Sequence, residues 1–120
     1  MRIVIGITGS SGAVYAREFI KQCDAEKFLV VSKWGKVLLK DELDITVKEL
    51  LPNVKREFSD DDLSAPIASG SNDIDAVVIL PCSTSTLGKI ASGIGDTLIT
   101  RTAQVALKER FKLVLCIRET

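Results

Sequence analysis

The sequence has 120 residues, of which 46% are hydrophobic and 27% charged, the composition of one soluble globular domain over residues 1–120. Sixteen basic residues balance sixteen acidic ones, so no basic surface indicates nucleic-acid binding. No apolar run approaches the ~20 residues of a membrane span, and the short apolar start runs into glycines, unlike a signal peptide. We therefore expect a cytoplasmic protein with no nucleic-acid or membrane partner.

Cysteine and histidine usage limits the chemistry further. The three cysteines, Cys23, Cys82 and Cys116, are widely spaced, which indicates neither a disulfide framework nor a zinc site but buried thiols in a reducing compartment. The sequence has no histidine, and so lacks the commonest general base and transition-metal ligand. We expect no metal site, and any chemistry must use carboxylates, lysine, arginine, hydroxyls or a cofactor.

The first half of the chain alternates strands and helices. Residues 2–7 form a short apolar run, typical of a strand buried on both faces. Residues 13–23 predict a helix with apolar residues along one side, and residues 28–31 predict a second buried strand. Helical patterns follow at 33–40 and, for another turn, at 47–51.

The second half continues the alternation. A weak strand at 54–58 leads through a loop to residues 76–80, the strongest strand pattern after the first. A short helix is predicted at 86–91, and Asp96 is expected to cap a longer helix that ends near Arg110. A last strand follows at 113–117.

This alternation predicts an α/β domain with a parallel sheet, in which ligands bind at the carboxyl ends of the strands. The residues at those ends are Gly9, Ser32, Ser83 and Arg118. All four positions carry groups that can bind a phosphate or hydrogen-bond to a ring.

Two strand-to-helix turns are rich in glycine and hydroxyl groups. Gly9-Ser10-Ser11-Gly12 follows the first strand, and the four hydroxyl residues 83–86 follow Pro81. Free backbone N–H groups and hydroxyls at helix starts bind anions, so the two turns together predict a phosphate-bearing ligand. The alternatives are a plain tight turn and a helix cap made by Ser83 or Thr84.

That ligand is not expected to be NAD. The glycines at 6, 9 and 12 do not follow the dinucleotide spacing G-x-G-x-x-G. Ser32 stands at the end of the second strand, where a carboxylate would bind the ribose.

Several charged or aromatic residues remain open to two interpretations. Arg118 and Glu119 follow the last strand, either at the ligand edge or as a terminal surface pair. Lys108 lies on the last helix, where solvent exposure is the default, and Glu42 and the acidic run 60–62 are by default solvated or capping residues. Trp34 can stack on a flat ring, but a position in the core or in a subunit contact is at least as compatible with the sequence.

Six segments, in order along the whole chain, resemble the flavin prenyltransferase family of the UbiX type. They are G-I-T-G-S-S-G-A-V-Y-A at 6–16, V-S-K at 31–33, A-P-I-A-S-G-S at 65–71, P-C-S at 81–83, G-I-G-D-T-L-I-T-R at 93–101, and the stretch from A-L-K-E-R at 106 to R-E-T at 118–120. The resemblance implies a flavodoxin-like, Rossmann-like three-layer fold that assembles into trimers and then dodecamers.

The resemblance also implies an activity and a site. Such enzymes transfer a dimethylallyl group from dimethylallyl phosphate to N5 and C6 of reduced FMN, and a UbiD-type decarboxylase receives the product. By position, the expected FMN-binding residues are Gly9, Ser10, Ser11, Ser32, Ser83, Thr84, Ser85, Thr86 and Arg118. The residues expected to surround the allyl phosphate and move protons are Ser11, Glu42, Lys108 and Glu119.

The chain departs from the family pattern at its end and at several positions, among them Trp34-Gly35 in place of a small-residue pair and Phe111 in place of a basic residue. Family members continue for several dozen residues past Arg118-Glu119-Thr120, so a truncated FMN-binding or assembly module without catalysis is the alternative to the enzyme. Gln104 replaces the usual aspartate and Ser10 the usual alanine. A related flavin-dependent cysteine decarboxylase ranks lower, because those enzymes resemble one another in using a histidine and this chain has none.

Overall fold

A five-stranded parallel sheet organises the computed structural model, which describes residues 1–70 and 73–118. The strands are β1 (Arg2–Ile7), β2 (Glu26–Val31), β3 (Arg56–Ser59), β4 (Ala76–Cys82) and β5 (Lys112–Ile117). The helices are α1 (Ala13–Gln22), α2 (Lys33–Leu43), α3 (Thr84–Ala91) and α4 (Leu98–Glu109), with short 3-10 helices at Val47–Asn53 and Pro66–Ala68. The strand order is β3–β2–β1–β4–β5.

The central strands β1, β2 and β4 are buried on both faces, which gives the three layers that the sequence predicts. On β1, Ile5 pairs with Leu29 of β2 and with Val78 of β4. Ile5 belongs to the core under α1 and α2, whereas its neighbour Val4 belongs to the core under α3 and α4. This alternation explains why the strands read as continuous apolar runs rather than as alternating ones.

Each predicted strand is present, but some boundaries were wrong. The third strand begins at Arg56 rather than at residue 54. The second helix continues past Lys40 to Leu43 and ends where Asp44 takes a left-handed conformation with φ 53°. Asp44 satisfies the last turn by donating its N–H to Lys40 O, a local end signal that the apolar pattern does not contain.

The predicted cap of the long helix was also wrong. Thr97, not Asp96, caps α4, because its hydroxyl accepts a hydrogen bond from Thr100 N at 3.2 Å. Asp96 instead pairs with Lys89, with 3.1 Å between Oδ2 and Nζ. Both residue types suit a cap, so the sequence alone does not distinguish them.

The helices start at the edge of the sheet where the strands end; we call it the carboxyl edge, and the opposite one the amino edge. The N–H of Leu98, at the start of α4, donates to Asp60 O just after β3. Glu109, at the end of α4, contacts Gly70 ahead of β4. The helix N-termini therefore face the carboxyl edge. Among the described residues, no helix is long and apolar enough to cross a membrane.

Candidate functional site

Thr8 joins the two hydroxyl-rich turns at the carboxyl edge. Its N–H and its Oγ1 both donate to Pro81 O, at 3.2 and 2.8 Å. Its Oγ1 in turn accepts a hydrogen bond from Ser83 N at 2.8 Å. The ends of β1 and β4 are thus held side by side, and the two turns form one surface. The sequence analysis missed Thr8, although a hydroxyl at the end of a buried strand is a signal that could have identified it.

The glycine turn is tightly built. Gly12 has a φ of 122°, a backbone conformation that residues with a side chain rarely adopt. Gly9 lies so close to Trp34 that a Cβ atom at this position would overlap the Cβ of the tryptophan. Ser10 is fully buried, and its Oγ has no hydrogen-bond partner among the described residues. A buried hydroxyl without a partner is costly and rare, and this one lies within the turn predicted to bind the ligand.

Glu42 lies near the end of α2, and its carboxylate contacts the first turn of α1. Its Oε1 accepts hydrogen bonds from Gly12 N at 3.0 Å and from Ala13 N at 2.9 Å. These two bonds, that of Ala13 first, lower the pKa of Glu42 below its usual value, and the Ser11 hydroxyl and the Arg118 charge lower it further. Glu42 is therefore an ionised acceptor that fixes the glycine turn, and an anionic ligand would have to use other donors of the turn.

The turn after β4 is both a helix cap and a hydroxyl cluster. Ser83 Oγ accepts from Thr86 N at 3.2 Å and lies 2.8 Å from Thr86 Oγ1, which confirms that Ser83 caps α3. Thr84 and Ser85 are exposed, and their side chains make no hydrogen bond within the described residues. The cap engages the hydroxyls of Ser83 and Thr86, so those of Thr84 and Ser85 remain available to a ligand.

Arg118 supplies a positive charge beside the glycine turn. Its N–H donates to Cys82 O at 3.3 Å, which holds it next to the end of β4. Its guanidinium carbon lies 5.2 Å from the centre of the Tyr15 ring. A Cβ atom on Gly12 would lie 3.4 Å from Arg118 Cδ, so the arginine covers the turn. The side chain is not in an ion pair within the described residues. Backbone contacts therefore bring the Ser11 turn, Ser83 and Arg118 to one place.

Ser32 extends this cluster along the edge. Its N–H donates to Ile7 O at 3.0 Å, and its Oγ accepts from Gly35 N at 2.9 Å. A cavity of about 490 Å³ opens beside it, lined by Val31, Ser32, Lys33, Trp34, Lys36, Ser59, Asp60, Asp61, Lys89 and Thr97. Trp34 is 64% exposed, so a position in the core is excluded and the open interpretations are ligand or subunit contact.

Asp60 is a cavity residue that the sequence analysis treated as solvated or capping. Its Oδ1 accepts from Ile99 N at 2.9 Å, so it completes the N-terminus of α4. Burial raises the pKa of the Asp60 carboxyl, while the hydrogen bond from Ile99 acts in the opposite direction. Capping is therefore confirmed, in a cavity next to Ser32.

One expected catalytic residue, Lys108, is not brought to the site by its own chain. Lys108 lies on the last turn of α4, at the amino edge. Because Lys108 lies ten residues past Leu98, the first residue of α4, the helix carries it about 15 Å along its axis from the carboxyl edge. Glu119 lies outside the described residues. Cys82 is fully buried, and burial raises the pKa of its thiol to about 11, so it is an unreactive thiol.

Comparisons with known proteins give this arrangement a context. A family profile described as Flavoprotein matches residues 1–118. The flavin prenyltransferase UbiX of Thermoplasma acidophilum is 46% identical over 120 residues, which cover 99% of this chain and 67% of that protein. AnUbiX (PadA1), crystallised in complex with FMN and dimethylallyl pyrophosphate, is 39% identical with a TM-score of 0.94, over 99% of this chain and 65% of that one.

A third relative is an oligomer. The dodecameric FMN-dependent UbiX-like decarboxylase from Escherichia coli O157:H7 is 34% identical with a TM-score of 0.94. The similarity covers 100% of this chain and 68% of that one. The chain thus spans about two thirds of the length of the relatives it matches.

Proposed function

The chain belongs to the Flavoprotein family and, within it, to the UbiX flavin prenyltransferases; on that premise we propose that it binds FMN at its carboxyl edge and acts in flavin prenylation. One observation carries the proposal. Thr8, Ser83 and the glycine turn are hydrogen-bonded into one surface, and Arg118 covers that surface. It offers several hydroxyls and one cation, the donor set that a flavin phosphate requires.

The residues present fit an FMN phosphate. The fully buried Ser10 hydroxyl needs an acceptor, and a phosphate oxygen would supply it. Thr84 and Ser85 offer exposed hydroxyls, and Arg118 offers a charge-assisted donor. The close approach of backbone at Gly9 and the positive φ of Gly12 keep this turn free of bulky side chains, which lets a ligand come near the backbone.

For the reaction, reduced FMN supplies the nucleophilic N5 and C6 atoms that the dimethylallyl group joins. Ser11 and Lys108 are proposed to stabilise the negative charge that grows on the departing allyl phosphate, since Arg118 meets the flavin phosphate. Glu42 is ionised and bound to Gly12 N and Ala13 N, so it orients the turn and accepts a hydrogen bond from the Ser11 hydroxyl. Glu119 follows Arg118 in sequence and is proposed as the carboxylate that moves the C6 proton.

Lys108 supports an oligomeric site. It lies at the amino edge of its own chain, so it can reach a carboxyl-edge site only from a second copy. We propose a homo-oligomer, built from trimers into a dodecamer, in which Lys108 of one copy serves the site of another. The proposed donor is dimethylallyl phosphate, the proposed recipient of the product is a UbiD-type decarboxylase, and the proposed compartment is the cytoplasm.

The test is the mass of the flavin after anaerobic incubation of the protein with reduced FMN and dimethylallyl phosphate. A gain of one prenyl unit, lost in Arg118→Ala and retained in the matched exposed-site variant Arg56→Ala, supports the enzyme. Failure to bind FMN at all overturns the proposal.

A second candidate is an FMN-binding module without transferase activity. The position of Lys108, at the amino edge of its own chain, favours it. In the same experiment this module would retain FMN of unchanged mass, with binding that still depends on Arg118.

A further inference from the structure

Tyr15 and Arg118 meet over the glycine turn. Tyr15 is the third residue of α1, and its backbone N–H donates to Gly12 O at 3.0 Å. A Cβ atom on Gly12 would lie 3.3 Å from Tyr15 Cδ2 and 3.4 Å from Arg118 Cδ. The space that a side chain would take at Gly12 is thus filled by the tyrosine ring and the stem of the arginine.

The ring faces the charge of the arginine. Arg118 Cζ lies over the Tyr15 ring, 5.2 Å from its centre, within the ~6 Å at which an aromatic face attracts a cation. Tyr15 is 54% exposed, and the buried side of α1 is formed by Ala13, Ala16 and Ile20. The helix therefore packs on the sheet through other residues, and the exposed ring is free to contact Arg118.

The contact restrains Arg118 without neutralising it. In the part of the chain that the structure describes, Arg118 is in no ion pair, so no carboxylate competes with a ligand for its charge. An aromatic face attracts the cation but leaves the in-plane N–H donors of the guanidinium available to a phosphate. The backbone end is fixed as well, because Arg118 N donates to Cys82 O at 3.3 Å. A cation held in this way loses less conformational freedom when an anion binds.

We propose that Tyr15 is a positioning residue, whose ring holds the Arg118 guanidinium over the glycine turn where it meets the flavin phosphate. This role rests on the proposed FMN site and adds to it a residue that acts through Arg118. Removing the ring should give the arginine more freedom and weaken FMN binding, but by less than removing the arginine itself. The tyrosine hydroxyl takes no part in the contact, so phenylalanine should replace tyrosine.

FMN titrations of three variants test this role. Tyr15→Leu removes the ring and should weaken FMN binding about two- to fivefold, the range of an exposed cation–π contact. Tyr15→Phe keeps the ring and should stay within about 1.5-fold of the wild type, as should the control Val14→Leu at the neighbouring exposed position of α1. Equal affinities of Tyr15→Leu and the wild type would overturn the proposal, and so would a Tyr15→Phe protein as weak as Tyr15→Leu.

A double-mutant cycle shows whether Tyr15 acts through the arginine. In Arg118→Ala, the further change Tyr15→Leu should alter FMN affinity by less than about 1.5-fold, because no cation is left to hold. Riboflavin, which lacks the phosphate, should bind equally to the wild type and to Tyr15→Leu. A full effect of Tyr15→Leu in the Arg118→Ala background, or an equal loss for riboflavin, would mean that Tyr15 contacts the flavin itself and would overturn the proposal.

The contact between Tyr15 and Arg118 is also measurable without a ligand. Protons above an aromatic ring are shifted upfield, so the Arg118 Hδ signals in the NMR spectrum of the free wild type and of Tyr15→Phe should lie upfield of their position in Tyr15→Leu. Absence of FMN binding by the wild type would overturn the proposed function together with this role. Identical Arg118 signals in the three proteins, with FMN bound by the wild type, would overturn the role of Tyr15 alone.

Discussion

The two edges of the sheet differ in whether every buried polar group that the structure describes has an internal partner. At the amino edge, the buried Lys27 donates to Ile20 O and Cys23 O, the free carbonyls at the end of α1. At the carboxyl edge, the buried Ser10 hydroxyl has no partner among the described residues, and Arg118 covers the glycine turn without an ion pair there. The buried lysine of the amino edge is satisfied by the chain itself, whereas the carboxyl edge, beside its internally bonded caps, retains donors for a ligand.

This difference separates stability from binding. A polar group that already has an internal partner contributes to folding, and its loss leaves that partner buried and unsatisfied. A donor without an internal partner contributes little to folding, and its loss is felt when a ligand arrives. Substitutions at the two edges should therefore affect different measurements, and the predictions below run from the largest expected effect to the smallest.

Arg118→Ala should weaken FMN binding about ten- to a hundredfold, because a charge-assisted hydrogen bond contributes about 1.5–3 kcal/mol. The free energy of unfolding should change by less than about 0.5 kcal/mol, since the side chain is exposed. FMN fluorescence titration and urea unfolding measure the two quantities. Arg56→Ala, at an exposed arginine of β3, is the matched control and should leave FMN affinity unchanged; equal losses in both variants would contradict the prediction.

Lys27→Met should show the opposite pattern. It leaves the carbonyls of Ile20 and Cys23 without their donor and should lower the free energy of unfolding by about 1–3 kcal/mol. FMN affinity of the folded protein should stay within about twofold. Lys21→Met, at an exposed lysine of α1, is the control for the urea experiment. A folded Lys27→Met protein that binds FMN poorly would contradict the view that the amino edge serves stability and the carboxyl edge serves binding.

Ser83 should affect both stability and ligand binding, since it caps α3 and lies at the site. Ser83→Ala should cost about 1 kcal/mol of stability and also weaken FMN binding. Ser83→Asp retains an acceptor for Thr86 N and should recover the stability. Its negative charge should repel the flavin phosphate, so binding should remain weak. Recovery of both properties in Ser83→Asp would show that Ser83 acts only as a cap.

Glu42 should give the smallest effect, visible as a pH dependence. Its folded-state pKa lies below its usual 4.5, so its stabilising contribution is present above that value and is lost as the pH falls through the lowered pKa. The carboxylate is exposed, so we expect at most about 0.5 kcal/mol. Urea midpoints at neutral and acidic pH should fall more for the wild type than for Glu42→Gln; parallel declines would contradict this role of Glu42.

The fold was largely predictable because each buried strand is an unbroken apolar run between turn residues, as in 2–7 and 76–80. The helix boundaries that the sequence predicted wrongly depend on single local interactions. Asp44 ends α2 through a left-handed conformation, and Thr97 rather than Asp96 caps α4. Neighbouring residues of similar propensity compete at such positions, and three-dimensional contacts select one of them.

The site was predictable only where residues follow strands directly. Ser83 and the glycine turn adjoin strand ends, so topology alone brings them together. Glu42 and Asp60 reach helix N-termini through side chains whose direction the sequence does not encode. The sequence does not indicate which edge of the sheet Lys108 occupies, because its position depends on the length and direction of α4.

The most direct test of a flavin-phosphate site at the carboxyl edge compares FMN with riboflavin, which lacks the phosphate, in titrations of the same protein. We predict that FMN binds saturably and at least about a hundredfold more tightly than riboflavin, a difference that shrinks in Arg118→Ala and persists in Lys27→Met. Equal affinities for the two flavins, or a difference abolished by Lys27→Met in folded protein, would contradict the account.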